Sequence, residues 1–280
     1  MRDVITEQRS AVSRGHVCWS YDDSAVFDDA ARRFLSAGLA AGEQGWYVGP
    51  DPAEVARERL AGLPGLDAAL RRGDLRIVAP WSAYPPDGLV DPVGQVHAYA
   101  TATEAALAAG HTGLRVVAEC SGLAGTPAQR DRFARYEHRV DRLMRARPFS
   151  AMCAYDRTRL GDPAVAELAC LHRHTNAPGL LFRLAACGPG TDCAELAGEL
   201  DPSNHELFAA ALERAELRPV DGELRLCGPR LRYIDHRCLT HLARYAARRG
   251  AVAVLRASLP TASRLVEMLA LTGVRVEAAR

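Results

Sequence analysis

Short apolar runs alternate with amphipathic stretches over the first two thirds of the chain. The runs G-W-Y-V-G-P (45–50), L-R-I-V-A-P (75–80), L-R-V-V-A-E-C (114–120) and F-S-A-M-C-A-Y (149–155) each predict a buried parallel strand closing on turn residues. Between them lie helices. Over 25–41, Phe27, Ala31, Phe34, Leu35 and Gly38 share one stripe, acidic residues come early, arginines later, and Gly42 is the stop. Over 52–60, Asp51 reads as the N-cap, Pro52 as the first helical residue and Glu54 as the end of a capping box. A third helix spans 94–109. A fourth, 127–146, opens at Thr126-Pro127 with Gln129 three residues on, and repeats Phe133, Tyr136, Val140 and Leu143/Met144 at helical spacing. Strands alternating with helices predict a doubly wound α/β sheet with ligands at the carboxyl ends of its strands. The loops after residues 50, 80, 120 and 155 then ring the pocket.

The polar, Pro/Gly-bearing stretch T-N-A-P-G (175–179) interrupts this alternation. A second pattern follows: strands at 180–186 and 193–201, a helix over about 203–216, the apolar runs G-E-L-R-L-C and L-R-Y-I-D within 222–235, and a helix to Arg249. It closes with a strand at 251–256, a helix from Pro260 to Leu271 and a strand at 274–277. Two domains are expected, 1–176 and 177–280, in keeping with a length of 280 residues.

With 48% hydrophobic and 25% charged residues and a net charge of +1, composition points away from a disordered chain, a membrane protein or a nucleic-acid coat. All 35 basic residues are arginine. Without lysine there is no P-loop lysine, no Schiff-base amine and no lysine base. Eight scattered cysteines with no C-x-x-C pair, and no secretory apolar segment at the start, predict a reduced cytoplasmic protein whose thiols sit in the core.

The order E-L-A-G-E-L-D (195–201), helix, strand ending in I-D, helix, V-A-V-L-R (252–256), P-T-A-S-R-L-V-E-M-L-A-L-T-G (260–273) and V-R-V resembles the STAS domain, the sulphate-transporter and anti-sigma-factor-antagonist module. The likeness covers about 180–280. It implies a small α/β sheet whose strand-to-helix corner docks a partner, an anti-sigma factor or a regulator of the histidine-kinase-like ATPase fold. In such antagonists a phosphorylatable serine or threonine follows the aspartate. Here Y-I-D-H-R-C puts His236 in that place, with Arg237 and Cys238 behind it and no hydroxyl before Thr240. A phosphate at a helix start would sit among free N–H groups, so this corner lacks that switch. Asp235, His236, Arg237 and Cys238 are therefore the expected partner-binding residues, with Asp235 as N-cap. The competing reading is an exposed corner in which Arg237 pairs with Asp201 or Glu199.

G-H-V-C-W-S-Y-D-D (15–23), F-L-S-A-G-L-A-A-G-E-Q-G-W-Y-V (34–48), M-C-A-Y-D (152–156) and L-A-C-L-H-R-H (168–174) resemble the MEDS domain, a sensory module, over roughly 10–176. The resemblance implies a KaiC/RecA-like open sheet with flanking helices, followed by the STAS-like α/β domain. An ATPase of that fold needs G-x-x-x-x-G-K-[ST] before its first helix, but this chain has W-S-Y-D-D-S-A-V, where two aspartates repel triphosphate. No ATP hydrolysis is expected, and no catalytic residue is assigned.

Residues expected to meet a small, partly hydrophobic ligand are His16, Cys18, Tyr21, Asp22, Trp81, Glu119, Cys120 and Tyr155, with Trp81 and Tyr84 in a loop at the ligand end. His16, Cys18, Cys153 and His172 offer N/S ligands that suit zinc, iron or haem. Core thiols and hydrogen-bonded histidines explain the same residues without a ligand. The expectation is a cytoplasmic signalling regulator, a sensor coupled to a protein-interaction domain, self-association being open and neither nucleic acid nor membrane a partner. Two alternatives stand beside it: an unliganded scaffold of a signalling complex, and a thiol- or metal-dependent enzyme built on Cys18/His16 or Cys120/Glu119.

Overall fold

The computed structural model describes residues 15–85, 88–188 and 193–278, with the side chain of Trp81 outside that description. The chain is mixed α/β and divides into two compact units, interleaved near the expected boundary. The first holds residues up to Leu168 together with His174–Pro178, and the second Ala169–Arg173 together with Gly179 onward.

The first unit is built on a six-stranded, all-parallel sheet in the order β3-β2-β4-β5-β1-β6. Its strands are β1 His16–Tyr21, β2 Gln44–Val48, β3 Leu75–Val78, β4 Leu114–Glu119, β5 Phe149–Asp156 and β6 His174–Thr175. Four of these are the predicted apolar runs. The H-V-C-W-S-Y segment, read from sequence only as a family motif, is the buried strand β1 between β5 and β6.

Helix α1, Ser24–Ala40, buries the predicted stripe of Phe27, Ala31, Phe34, Leu35 and Gly38. Alternate strand residues meet it: Val17 and Trp19 of β1, Val117 of β4, and Met152 and Ala154 of β5 belong to the same core cluster. α2 spans Ala53–Arg59, and its cap corrects the sequence reading: Pro52 is the N-cap without a side-chain hydrogen bond, while Asp51 pairs with Arg59 at 2.7 Å. α3 (Leu66–Arg72) and the short α4 (Pro80–Ala83) flank β3. On the other face lie α5, Pro92–Ala108, and α6, Pro127–Ala146, the latter opened by the expected Thr126/Gln129 capping box. α7 (Arg157–Leu160) and α8 (Asp162–Ala169) follow β5.

The G-L-A-A-G-E motif has a structural explanation. Gly42, at φ +77°, ends α1, and the Glu43 amide bonds back to the Gly38 carbonyl. The Glu43 carboxylate accepts from Nε of the fully buried Arg115 at 2.5 Å, and the Arg115 guanidinium lies 4.7 Å from the Phe34 ring. Gly38 makes room for it, since a Cβ there would stand 2.5 Å from Arg115 Cδ.

The second unit has a five-stranded sheet in the order β11-β10-β9-β8-β7, in which only the β7–β8 pair is antiparallel. Its strands are β7 Phe182–Ala186, β8 Cys193–Leu200, β9 Glu223–Ile234, β10 Val252–Arg256 and β11 Val274–Glu277. The two runs within 222–235 form one strand, continuous through Gly228–Pro229, with register shifts against β8. Its helices are α9 His205–Ala215, α10 His236–Ala247 and α11 Pro260–Met268. Cys187 and Cys193 are joined by a disulfide across the β7–β8 hairpin, which corrects the expectation of wholly reduced thiols: the pairing of Ala186 with Ala194 holds their Cα atoms 5.6 Å apart.

Candidate functional site

In the first unit a cleft of about 290 Å³ opens at the carboxyl ends of the strands. Pro50 follows β2, Pro80, Tyr84 and Pro85 follow β3, Glu119 ends β4 with Gly122 and Leu123 in the turn after it, and Arg159 lies on α7 after β5. This is where the strand order reverses, β2 leading outward to β3 and β4 inward to β5. Pro50, Pro80, Pro85, Tyr84 and Leu123 supply apolar wall, and Glu119, Gln129 and Arg159 supply polar groups of both signs. The volume and the mixture suit a small molecule with an apolar body and one polar end. Gly88 (φ +67°) keeps one side clear, since a Cβ there would approach Gln129 Nε2 to 2.6 Å.

Glu119 is held firmly at this rim. Its Oε1 accepts from Tyr21 Oη at 3.2 Å and from the Ser121 amide at 3.1 Å, and the Ser121 hydroxyl is also in close contact with it. Burial, then the neighbouring Glu119 and Asp156 carboxylates, push the Tyr21 phenol up, so it stays a donor. Asp22 is exposed and pairs with Arg157 at 3.4 Å, away from the cleft lining. Trp81 lies in α4 with its side chain outside the described residues.

The other expected ligand residues lie inside the protein. His16, Cys18, Cys120 and Tyr155 are all at most 2% exposed. The reason is strand parity: the even residues of β1 and the odd residues of β5 face α5 and α6, not the rim. There His16 Nε2 lies 2.8 Å from Glu137 Oε2 and its Nδ1 3.6 Å from Asp141 Oδ1, while Tyr155 donates to Glu137 Oε1 at 2.5 Å. The Cys153 thiol is 3.5 Å from Glu137 Oε2. Burial opposes a charged His16, but the Glu137 carboxylate, with hydrogen bonds to Asp141, Cys153 and Glu137, outweighs it and holds the imidazole well above its usual 6.5. The Cys153 thiol is pushed up by its hydrogen bond with Cys120, then by burial. These are protonated, unreactive thiols beside an imidazolium–carboxylate pair.

Glu137 and Asp141 were invisible to the apolar-stripe reading. The available signal was their place in the stripe itself, at i+4 from Phe133 and i+4 again, where a charge implies a buried partner. His16, Glu137 and Cys153 bring N, O and S atoms within 4.8 Å of one another, but the imidazolium and the protonated thiol would each have to lose a proton before holding an ion such as zinc. His172 is buried in the Ala169–Arg173 segment that belongs to the second unit.

In the second unit the strand-to-helix corner is a cationic groove. Asp235 caps α10, accepting from the Cys238 amide at 2.8 Å. Asp235 and Cys238 are buried, which corrects their place in a docking surface: Cys238, on the inner face of α10, cannot touch a partner. His236 and Arg237 are exposed. With His205, Thr240, His241 and Arg244 they line a hollow of about 260 Å³, in which the His205 and His241 rings stack at 5.8 Å. Burial, then the charges of His205, Arg244 and Arg248, lower the His241 pKa. The acids proposed as partners of Arg237 are engaged elsewhere: Glu199 with Arg232 and Asp201 with Ser203.

Among the described residues no helix is long and apolar enough to cross a membrane. No curated protein matches the chain. The family model of the MEDS domain, the methanogen/methylotroph, DcmR sensory domain, matches residues 15–173, the span of the parallel sheet from β1 through the helix after β5. The chain therefore belongs to the MEDS family of sensory domains.

Proposed function

We propose that the protein is a cytoplasmic, non-enzymatic signalling regulator whose first unit binds a small, partly apolar molecule in the Glu119–Arg159 cleft. Its second unit is a STAS-like interaction domain. The carrying observation is the cleft itself, an apolar hollow with a few fixed polar groups at the sheet's switch point in a unit of a sensory family. Against nucleotide chemistry stands the β1–α1 connection: only Asp22 and Asp23 link the two elements, and Asp23 already accepts from the Ala25 amide at 2.8 Å, where a phosphate would need free N–H groups.

In the second unit the groove of His205, His236, Arg237, Thr240, His241 and Arg244 presents positive charge and donors; its hydroxyl, on Thr240, donates to the His236 carbonyl at 2.8 Å, and none stands in the first turn of α10 at the phosphorylation position of the antagonists. Its complement is an acidic surface, which we assign to an anti-sigma factor or a related ATPase regulator. Ligand in the cleft would be reported through that contact.

The reading is tested with the purified full chain. Thermal shift against a panel of small alcohols, thiols, carboxylic acids and halogenated hydrocarbons should give at least one saturable stabilisation that Gln129→Leu with Arg159→Ala abolishes. Magnesium-ATP should give none, and a saturable shift with it would overturn the assignment. Capture of a co-expressed anti-sigma kinase should fall on Arg237→Ala, and undiminished capture would remove the groove from the interface.

A further inference from the structure

Cys187, Cys193 and Cys227 form a sulphur cluster that neither the cleft nor the corner uses. Their sulphurs all lie within 4.8 Å of one another, and Cys227 Sγ is 3.3 Å from Cys193 Sγ. The sheet creates this convergence independently of the disulfide. Cys193 begins β8; Cys187 follows the β7 residue paired with Ala194, and its amide donates to the Cys193 carbonyl at 3.3 Å. Cys227 stands on β9 opposite Glu195, one step diagonal to Cys193 on the same face. Strands β8 and β9 and the residue just after β7 thus each deliver one sulphur, and a disulfide occupies only two of them.

We propose that these three cysteines, once the Cys187–Cys193 bond is reduced, form a three-thiolate site for a soft d10 cation such as zinc. Thiolate sulphur selects such ions, and three protein ligands leave the fourth tetrahedral position to water or an incoming ligand. The electrostatics are favourable. A divalent ion with three thiolates carries one net negative charge, and Arg256, which pairs with Glu277 at 3.3 Å, stands directly across the ladder from Cys227. Glu195, opposite Cys227 on β8, is held by Arg173 and Arg230 at 2.6 Å each, so it adds no further free negative charge at the site.

The gate is chemical. A dithiol reductant transfers two electrons and two protons, so the Cys187–Cys193 S–S bond breaks to two thiols while the dithiol closes to its own disulfide. Metal entry then displaces the three thiol protons to solvent. Oxidation by a disulfide reverses the sequence and expels the ion. The site would therefore couple cellular thiol status to a metal-bound and a metal-free form.

The experiment uses the full chain, reduced with a phosphine and desalted anaerobically, against its untreated oxidised form. Zinc is titrated in competition with a chromogenic chelator, and cadmium is followed by its thiolate charge-transfer absorption. Reduced wild type should take up the ion with a charge-transfer band, and the oxidised form should bind at least tenfold more weakly. Cys227→Ser leaves the disulfide pair intact and should weaken binding at least tenfold after reduction. The triple variant C187S/C193S/C227S should lose the band while its circular dichroism is retained. Equal uptake by oxidised and reduced protein, unchanged affinity in Cys227→Ser, a persisting band in the triple variant, or no uptake by the reduced chain would each overturn the proposal. Disulfide exchange between the three cysteines without metal uptake would do so as well.

Discussion

Replacing Gly38 by alanine in the middle of α1 would ordinarily stabilise a helix by about 0.5–1 kcal/mol. In this protein it should do the opposite. The added Cβ would stand 2.5 Å from Arg115 Cδ, 2.7 Å from Nε and 3.1 Å from Cβ, so the clash runs along the side chain from its root to Nε and is not confined to its tip. Arg115 cannot swing away: it is 1% exposed, its Nε is fixed by Glu43 and its guanidinium lies over Phe34. Overpacking of this kind costs about 1–3 kcal/mol, and if the Arg115–Glu43 pair separates the uncompensated buried charge raises this to about 3–5 kcal/mol. Set against the propensity gain, a net loss of up to about 2.5 kcal/mol is expected, rising to about 2–4.5 kcal/mol if the pair separates. Urea denaturation followed by circular dichroism gives the free energy, and the melting temperature should fall by roughly 2–4 °C per kcal/mol for a unit of this size. Pairing Gly38→Ala with Arg115→Met, which removes the obstructing Nε, should recover part of the loss relative to the sum of the single effects. A Gly38→Ala protein as stable as wild type or more so would refute the packing argument and the structural reading of the G-L-A-A-G-E motif.

Glu137→Gln keeps side-chain volume and an acceptor for Tyr155 but removes the charge that raises the His16 pKa, so it should destabilise by about 3 kcal/mol or more at mildly acid pH. Because the folded His16 pKa lies above its unfolded value, the wild-type contribution is complete below about 6.5 and is lost as pH rises through the folded pKa. The variant's deficit in urea titrations should therefore shrink towards alkaline pH, and a pH-independent deficit would refute an ionised pair. Asp235→Ala removes the α10 cap and should cost about 1 kcal/mol in chemical denaturation, whereas Asp235→Asn should cost a few tenths; equal losses in both would assign the effect to charge instead. Gly88→Val should abolish ligand-induced thermal stabilisation in the cleft, because its Cβ intrudes on Gln129 at a backbone φ of +67°; unchanged stabilisation would place the ligand elsewhere.

The periodicity of the chain by itself determined four of the six parallel strands, the apolar stripe of α1, the capping box of α6 and the N-cap of α10, because each depends on residues within a few positions of one another. The family motifs likewise stand contiguously in the sequence. Which polar residues meet was decided only by tertiary structure. Sheet order sets β1 beside β5, so His16 meets Glu137 from a helix 121 residues away, and strand parity turns Cys18, Cys120 and Tyr155 inward from the rim where their loops pointed. The same holds for Arg115 with Glu43 and for Cys227 beside the Cys187–Cys193 pair. Local pattern reports which face of an element is apolar, but the partner of a buried charge or thiol is chosen by strand register across the sheet, and no spacing along the chain encodes that.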